Sequence, residues 1–174
     1  MSDPKVDISD EMVDFIAQAG FTTVRSSVVD GRTLFWNDTS SEYFVAYEDG
    51  WYKVSSSERQ SPEHFDFAAR DSDLLEKYLV KLFGNFLRQK NGMPDAYLVS
   101  RQLADGYTVE SIPFENDAYL GLRVPGGDLR AISGWDPFLA RIELADISNI
   151  IQQSAAALRT SYLDPSGAPL LVVP

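Results

Sequence analysis

From Asp73 to Lys90 apolar residues return every three or four positions, at Leu75, Tyr78, Leu79, Leu82, Phe83, Phe86 and Leu87, the period of one α-helical face. The spacing predicts a helix lying against a sheet. Asp73 with Glu76 three residues on resembles a capping box, Arg88 and Lys90 complement the negative end of the helix dipole, and Asn91-Gly92 ahead of Pro94 is a stop. Burying such a face contributes on the order of 10–20 kcal/mol gross, which sets this helix at the centre of the fold.

Elsewhere the period is mostly two. After a short helix that Ser9 can cap, with Met12, Val13, Ile16 and Ala19 on one side and Gly20 as its end, the pattern turns to alternation. Phe21 to Arg25, Arg32 to Trp36, Glu42 to Tyr47, Trp51 to Ser55 and His64 to Ala68 read as strands, separated by turns at Asp30-Gly31, Asn37-Asp38 and Asp49-Gly50. Connections so short join antiparallel neighbours. Tyr107 to Ser111, Tyr119 to Val124 and Leu129 to Ser133 extend the sheet, a further short or broken helix is expected within Glu143 to Ala157, and Leu170 to Val173 is a last apolar run. The expected fold is α+β: a curved antiparallel β-sheet packed against one long amphipathic helix with shorter flanking helices. With no repeat or low-complexity linker in the 174 residues, one domain over residues 1–174 is expected.

Composition changes this picture mainly by exclusion. The 26 acidic residues outnumber the 15 basic ones, for a net charge of −11, and the excess is concentrated in residues 1–87, with 16 acidic against 8 basic. A nucleic-acid backbone or an anionic membrane would be repelled, and a basic protein is the natural partner. There is no cysteine and one histidine, so thiol chemistry and disulfides are absent, and neither a metal nor a cofactor is expected. The opening residues have no apolar leader and no stretch approaches a membrane span, so a cytoplasmic protein is expected.

Few constellations could carry chemistry. His64-Phe65-Asp66 reads as a local pair on a strand edge, lacking a third ligand. Ser55-Ser56-Ser57 lacks a nucleophile elbow, and Gly126-Gly127 lacks the lysine of a phosphate loop and reads as a hairpin turn. Paired carboxylates could hydrolyse a glycan or a nucleotide, and so many acids make such pairs inevitable by chance. Arg101-Gln102-Leu103-Ala104-Asp105-Gly106-Tyr107 is the best interface candidate: an Asp-Gly turn flanked by amide, charge and aromatic groups.

Ser57-Glu58-Arg59, Glu63-His64-Phe65, Leu75-Glu76-Lys77-Tyr78-Leu79, Leu82-Phe83-Gly84, Arg88, Gly92-Met93-Pro94, Gly106-Tyr107 and Ser166-Gly167-Ala168-Pro169-Leu170 follow one another in an order that resembles a family of bacterial polymorphic-toxin immunity proteins. Its best-known type is the immunity factor for the tuberculosis necrotizing toxin, and the resemblance spans roughly residues 43–170. It implies a cytosolic, non-enzymatic antitoxin that binds the C-terminal domain of a secreted toxin, an NAD glycohydrolase in the type member, one to one. The shared stretches fall on core positions and leave the contact residues undefined. The reading here is occlusion by a loop through Gln102, Asp105, Gly106 and Tyr107, with Lys5 and Asp7 as a second contact, and a tryptophan at Gly106 is expected to block insertion without disturbing the fold. A carboxylate-dependent hydrolase and a non-inhibitory regulatory binding module stay open as alternatives.

Overall fold

Ser9 begins the first helix, α1 (Asp10–Gln18), by accepting the Met12 N–H on its side-chain oxygen, while Asp10 and Glu11 sit favourably in the positive first turn. The computed structural model describes residues 6–174. β1 (Thr22–Val24), β2 (Thr33–Trp36), β3 (Ser41–Glu48), β4 (Trp51–Glu58) and β5 (His64–Ala69) then run as an antiparallel meander. At the β3–β4 turn Asp49 and Gly50 both take positive φ, 52° and 80°, which fits the twist of the strands they join.

The long helix, α2 (Ser72–Lys90), has its cap two residues before the place expected. Asp71 accepts the Leu74 N–H at 2.9 Å, and Glu76 instead takes the Ser9 N–H at 3.0 Å, tying α2 to the start of α1. Beyond α2 come β6 (Tyr97–Leu98), β7 (Thr108–Phe114), β8 (Asp117–Arg123) and β9 (Leu129–Ser133), then α3 (Pro137–Ile150), α4 (Ala155–Leu163) and β10 (Leu171–Val172). The helix expected within Glu143 to Ala157 is therefore two helices. α3 starts at Pro137 behind the Asp136 cap, and Ser154 caps α4 by accepting the Ala157 N–H at 3.0 Å.

Eight strands form one sheet in the order β1-β2-β3-β4-β5-β9-β8-β7, and β10 pairs with β6 beside it. Every pairing is antiparallel, and the sheet is open. Its helix-facing side buries Phe35, Val45, Val54, Phe67, Leu122 and Ala131 in one core with α2 and α3: α3 packs on β8 and β9, and the Phe67 ring stacks on Tyr78 of α2 at 4.0 Å. α2 is covered on more than one side, so Leu74 and Val80 are buried along with the expected face, whereas Leu82 and Phe86 are only half-buried. Gly84 makes the α2–α4 approach possible: a Cβ there would stand 2.3 Å from the Tyr162 ring. Among the described residues no helix is long and apolar enough to cross a membrane.

Candidate functional site

The Arg101–Tyr107 segment joins β6 to β7 and is held from beneath by one turn of α3. Arg101 grips the buried Asp146 carboxylate with both arms, Nε to Oδ1 at 3.1 Å and Nη2 to Oδ2 at 3.0 Å. That hydrogen-bonded pairing holds the Arg101 guanidinium above its ordinary range. Asn149 donates to the Gln102 carbonyl at 2.7 Å, and the Ala104 N–H donates to the Ser148 hydroxyl at 2.9 Å. A loop fixed at three successive points keeps one shape, which lowers the entropy lost on binding.

Beyond these anchors the chain makes a tight turn, with the Tyr107 N–H donating to the Ala104 carbonyl at 3.1 Å and Gly106 at φ +82°. Gln102, Asp105 and Gly106 are exposed at this tip, while Tyr107 packs part of its ring against the core. The expectation that Gly106 tolerates tryptophan is corrected. Its φ belongs to the left-handed region, and a Cβ would meet Pro125 Cγ at 3.0 Å, so any side chain strains the turn.

Four of the six expected contact residues, Gln102, Asp105, Gly106 and Tyr107, thus come together on one loop. Asp7 is exposed ahead of α1. Lys5 lies outside the described residues. The loop's supports, Asp146, Ser148 and Asn149, went unread in the sequence. Their signal was a set of polar residues inside an otherwise apolar helical stretch, with Leu144-Ala145 before them, Ile147 among them and Ile150-Ile151 after.

His64 and Asp66 form the local pair expected, Nδ1 to Oδ1 at 2.8 Å, and the imidazole lies over the Trp135 indole with centroids 4.7 Å apart. Burial pushes the Asp66 carboxyl above its usual range, with the hydrogen bonds from His64 and Ser56 opposing. Ser55 donates to Glu63 and Ser57 to the Ser61 carbonyl, so both hydroxyls serve the β4–β5 region. Among the described residues no three His, Cys, Asp or Glu side chains are grouped to hold a metal ion.

Glu143 is buried beside this region and accepts the Ser133 hydroxyl at 2.6 Å. Burial raises its pKa, partly offset by Lys81 and the Ser133 hydrogen bond. Between the ordinary carboxylate pKa and this raised one, the folded protein keeps a proton that the unfolded chain has released. Stability therefore falls as pH rises through that window. Glu143→Gln removes the titration while keeping an acceptor for Ser133. Urea denaturation should find it at least as stable as the unaltered protein near neutral pH, with a shallower decline as pH rises above the ordinary carboxylate range. A neutral-pH loss on the order of 1 kcal/mol or more would contradict this.

Residues 15–170 match the model of Immunity protein 61, Imm61. The chain belongs to the Imm61 family of immunity proteins. This Imm61 protein is 30% identical over 172 residues to the immunity factor for TNT of Mycobacterium tuberculosis and to its Mycobacterium bovis homolog, covering 97% of this chain and 94% of each relative. It is also similar to the solved structure of Rv3902c from M. tuberculosis, at a TM-score of 0.85 and 29% identity, over 97% of this chain and 95% of that one. These relatives are immunity factors, a class of inhibitors rather than enzymes. The α+β architecture with its large antiparallel sheet is thereby shared along nearly the whole chain.

Proposed function

We propose that this Imm61 protein is a one-domain cytoplasmic inhibitor that binds the catalytic C-terminal domain of a secreted toxin, an NAD glycohydrolase, one to one, and closes its active site with the Arg101–Tyr107 loop. The observation that carries the reading is the loop itself: three fixed anchors beneath an exposed Asp105-Gly106 tip. A narrow, glycine-centred tip can enter a substrate cleft. Asp105 and Gln102 offer the carboxylate and amide oxygens that a site built for a polar, anionic substrate will hydrogen-bond. Tyr107, packed at its base, sets the direction in which the tip projects. The net charge of −11 steers a basic partner toward the complex, and Asp7 adds a contact at the α1 end.

No reactive group is asked of this chain. Its relatives are immunity factors for TNT, and the same relation between inhibitor and toxin supports the reading here. Asp105→Arg is the sharpest probe, because Asp105 is exposed and reversing its charge leaves the turn intact. In an NAD-hydrolysis assay with the toxin domain, the variant should need at least about tenfold more protein for half-inhibition, about 1.4 kcal/mol, at an unchanged melting temperature. Equal inhibition by the variant would remove this loop from the mechanism, and NAD turnover by the isolated chain would remove the reading altogether.

A further inference from the structure

The first two turns of α3 expose an apolar ridge beside the loop. Phe138, Leu139 and Ile142 lie at helical spacing on one face, with Trp135 immediately before the Asp136 cap, and Phe138 is 72% exposed. Single exposed apolar side chains are ordinary, but a contiguous ridge of four marks a surface that meets something. Resting on the functional reading above, we infer that this ridge is the second half of the toxin-binding surface, receiving an apolar patch on the toxin domain while the loop fills the active site.

Three features assign the toxin as occupant. The ridge is continuous with the loop, since Arg101, Trp135, Leu139 and Ile142 line one concavity. Size gives the second argument. A stable interface covers about 800 Å² on each partner through 20–30 residues, so the seven loop residues supply only roughly 250 Å², and the rest must come from adjoining surface. Third, two of the residue types most often dominant at interfaces stand ready in fixed poses: Trp135 on the His64 ring and Arg101 on Asp146. Side chains already held before association lose little rotamer freedom when they are covered.

Phe138→Asp places a charge at the most exposed point of the ridge, outside the folded core, and Phe138→Ala tests the same contact without adding charge. Binding of each variant to the toxin catalytic domain is measured by surface kinetics, with circular dichroism and melting temperature checking the fold. Phe138→Asp should weaken binding by about thirtyfold or more, mostly through faster dissociation, and Phe138→Ala by a smaller factor in the same direction, at unchanged melting temperature. Affinity within about twofold of the unaltered protein for both variants overturns the inference while leaving the loop mechanism standing. Failure of the unaltered protein to bind the toxin domain overturns the functional reading and this one with it. Sedimentation adds a discriminating arm: a self-associating protein that Phe138→Asp renders monomeric, with toxin affinity unchanged, would assign the ridge to a second copy of this chain and overturn the proposal.

Discussion

Arg88→Ala is expected to cost about 3–5 kcal/mol of folding stability, which for a chain of this size lowers the melting temperature by about 6–20 °C. The guanidinium is fully buried and ties together two separate stretches of backbone, at Pro94 and at residues 162–165. Nε donates to the Pro94 carbonyl at 2.7 Å, Nη1 to those of Tyr162 and Asp164 at 3.1 and 2.7 Å, and Nη2 to that of Pro165 at 2.9 Å. Alanine leaves these carbonyls short of donors and opens a cavity at the α2–α4 contact. Lysine cannot restore them, because one ammonium lacks the planar fork that reaches both sides. Calorimetry or urea denaturation checks this, and a loss below about 1 kcal/mol would contradict the assigned role. The consequence extends to function. Residues 162–165 lead into β10, β10 pairs with β6, and β6 runs directly into the Arg101–Tyr107 loop, so inhibition should weaken along with stability.

Gly134→Ala should be nearly as damaging, at about 3 kcal/mol. A Cβ at this position would stand 1.9 Å from the Phe65 carbonyl oxygen, a backbone atom fixed within β5. The Gly134 N–H also donates to the Asp66 carbonyl at 2.7 Å, which extends the β5–β9 pairing by one residue. Alanine must therefore force β9 away from β5, the seam joining the two halves of the eight-stranded sheet. On either side of Gly134, Ser133 loses its geometry to Glu143 and Trp135 its ring contact with His64. Denaturation should show a large loss with cooperativity retained. A variant with ordinary stability would mean that the seam can open by more than an ångström without cost, contrary to the packing described here.

Much of the fold was legible because its signals are local. Alternation from Arg32 to Trp36 and around Asp49-Gly50 announces a hairpin whatever the rest of the chain does, and the three- and four-residue repeat of Leu75 through Leu87 announces α2. What escaped was decided at long range. The basic residue near the end of α2 looked like a partner for the helix dipole, and nothing near Arg88 in sequence hints that carbonyls over seventy positions away, at Tyr162 and Asp164, close around it. Glu76 fitted a capping box by spacing, but Asp71 reached the helix start first and Ser9 claimed the glutamate. Likewise the loop could be picked by its Asp105-Gly106 turn, whereas the α3 residues that stiffen it, and the ridge of Phe138 and Leu139 beside it, depend on where α3 packs. A stripe of apolar residues reads the same in sequence whether it faces a core or a partner.

Blockade of the substrate site by the Arg101–Tyr107 loop is tested most directly by competition. The toxin domain's NAD hydrolysis is followed at rising concentrations of this protein and of NAD, with equilibration at each point. Exclusion by a loop in the active site predicts an apparent inhibition constant that increases in proportion to NAD above its KM. An inhibition constant indifferent to saturating NAD would place the protein on a surface away from the pocket and contradict the account.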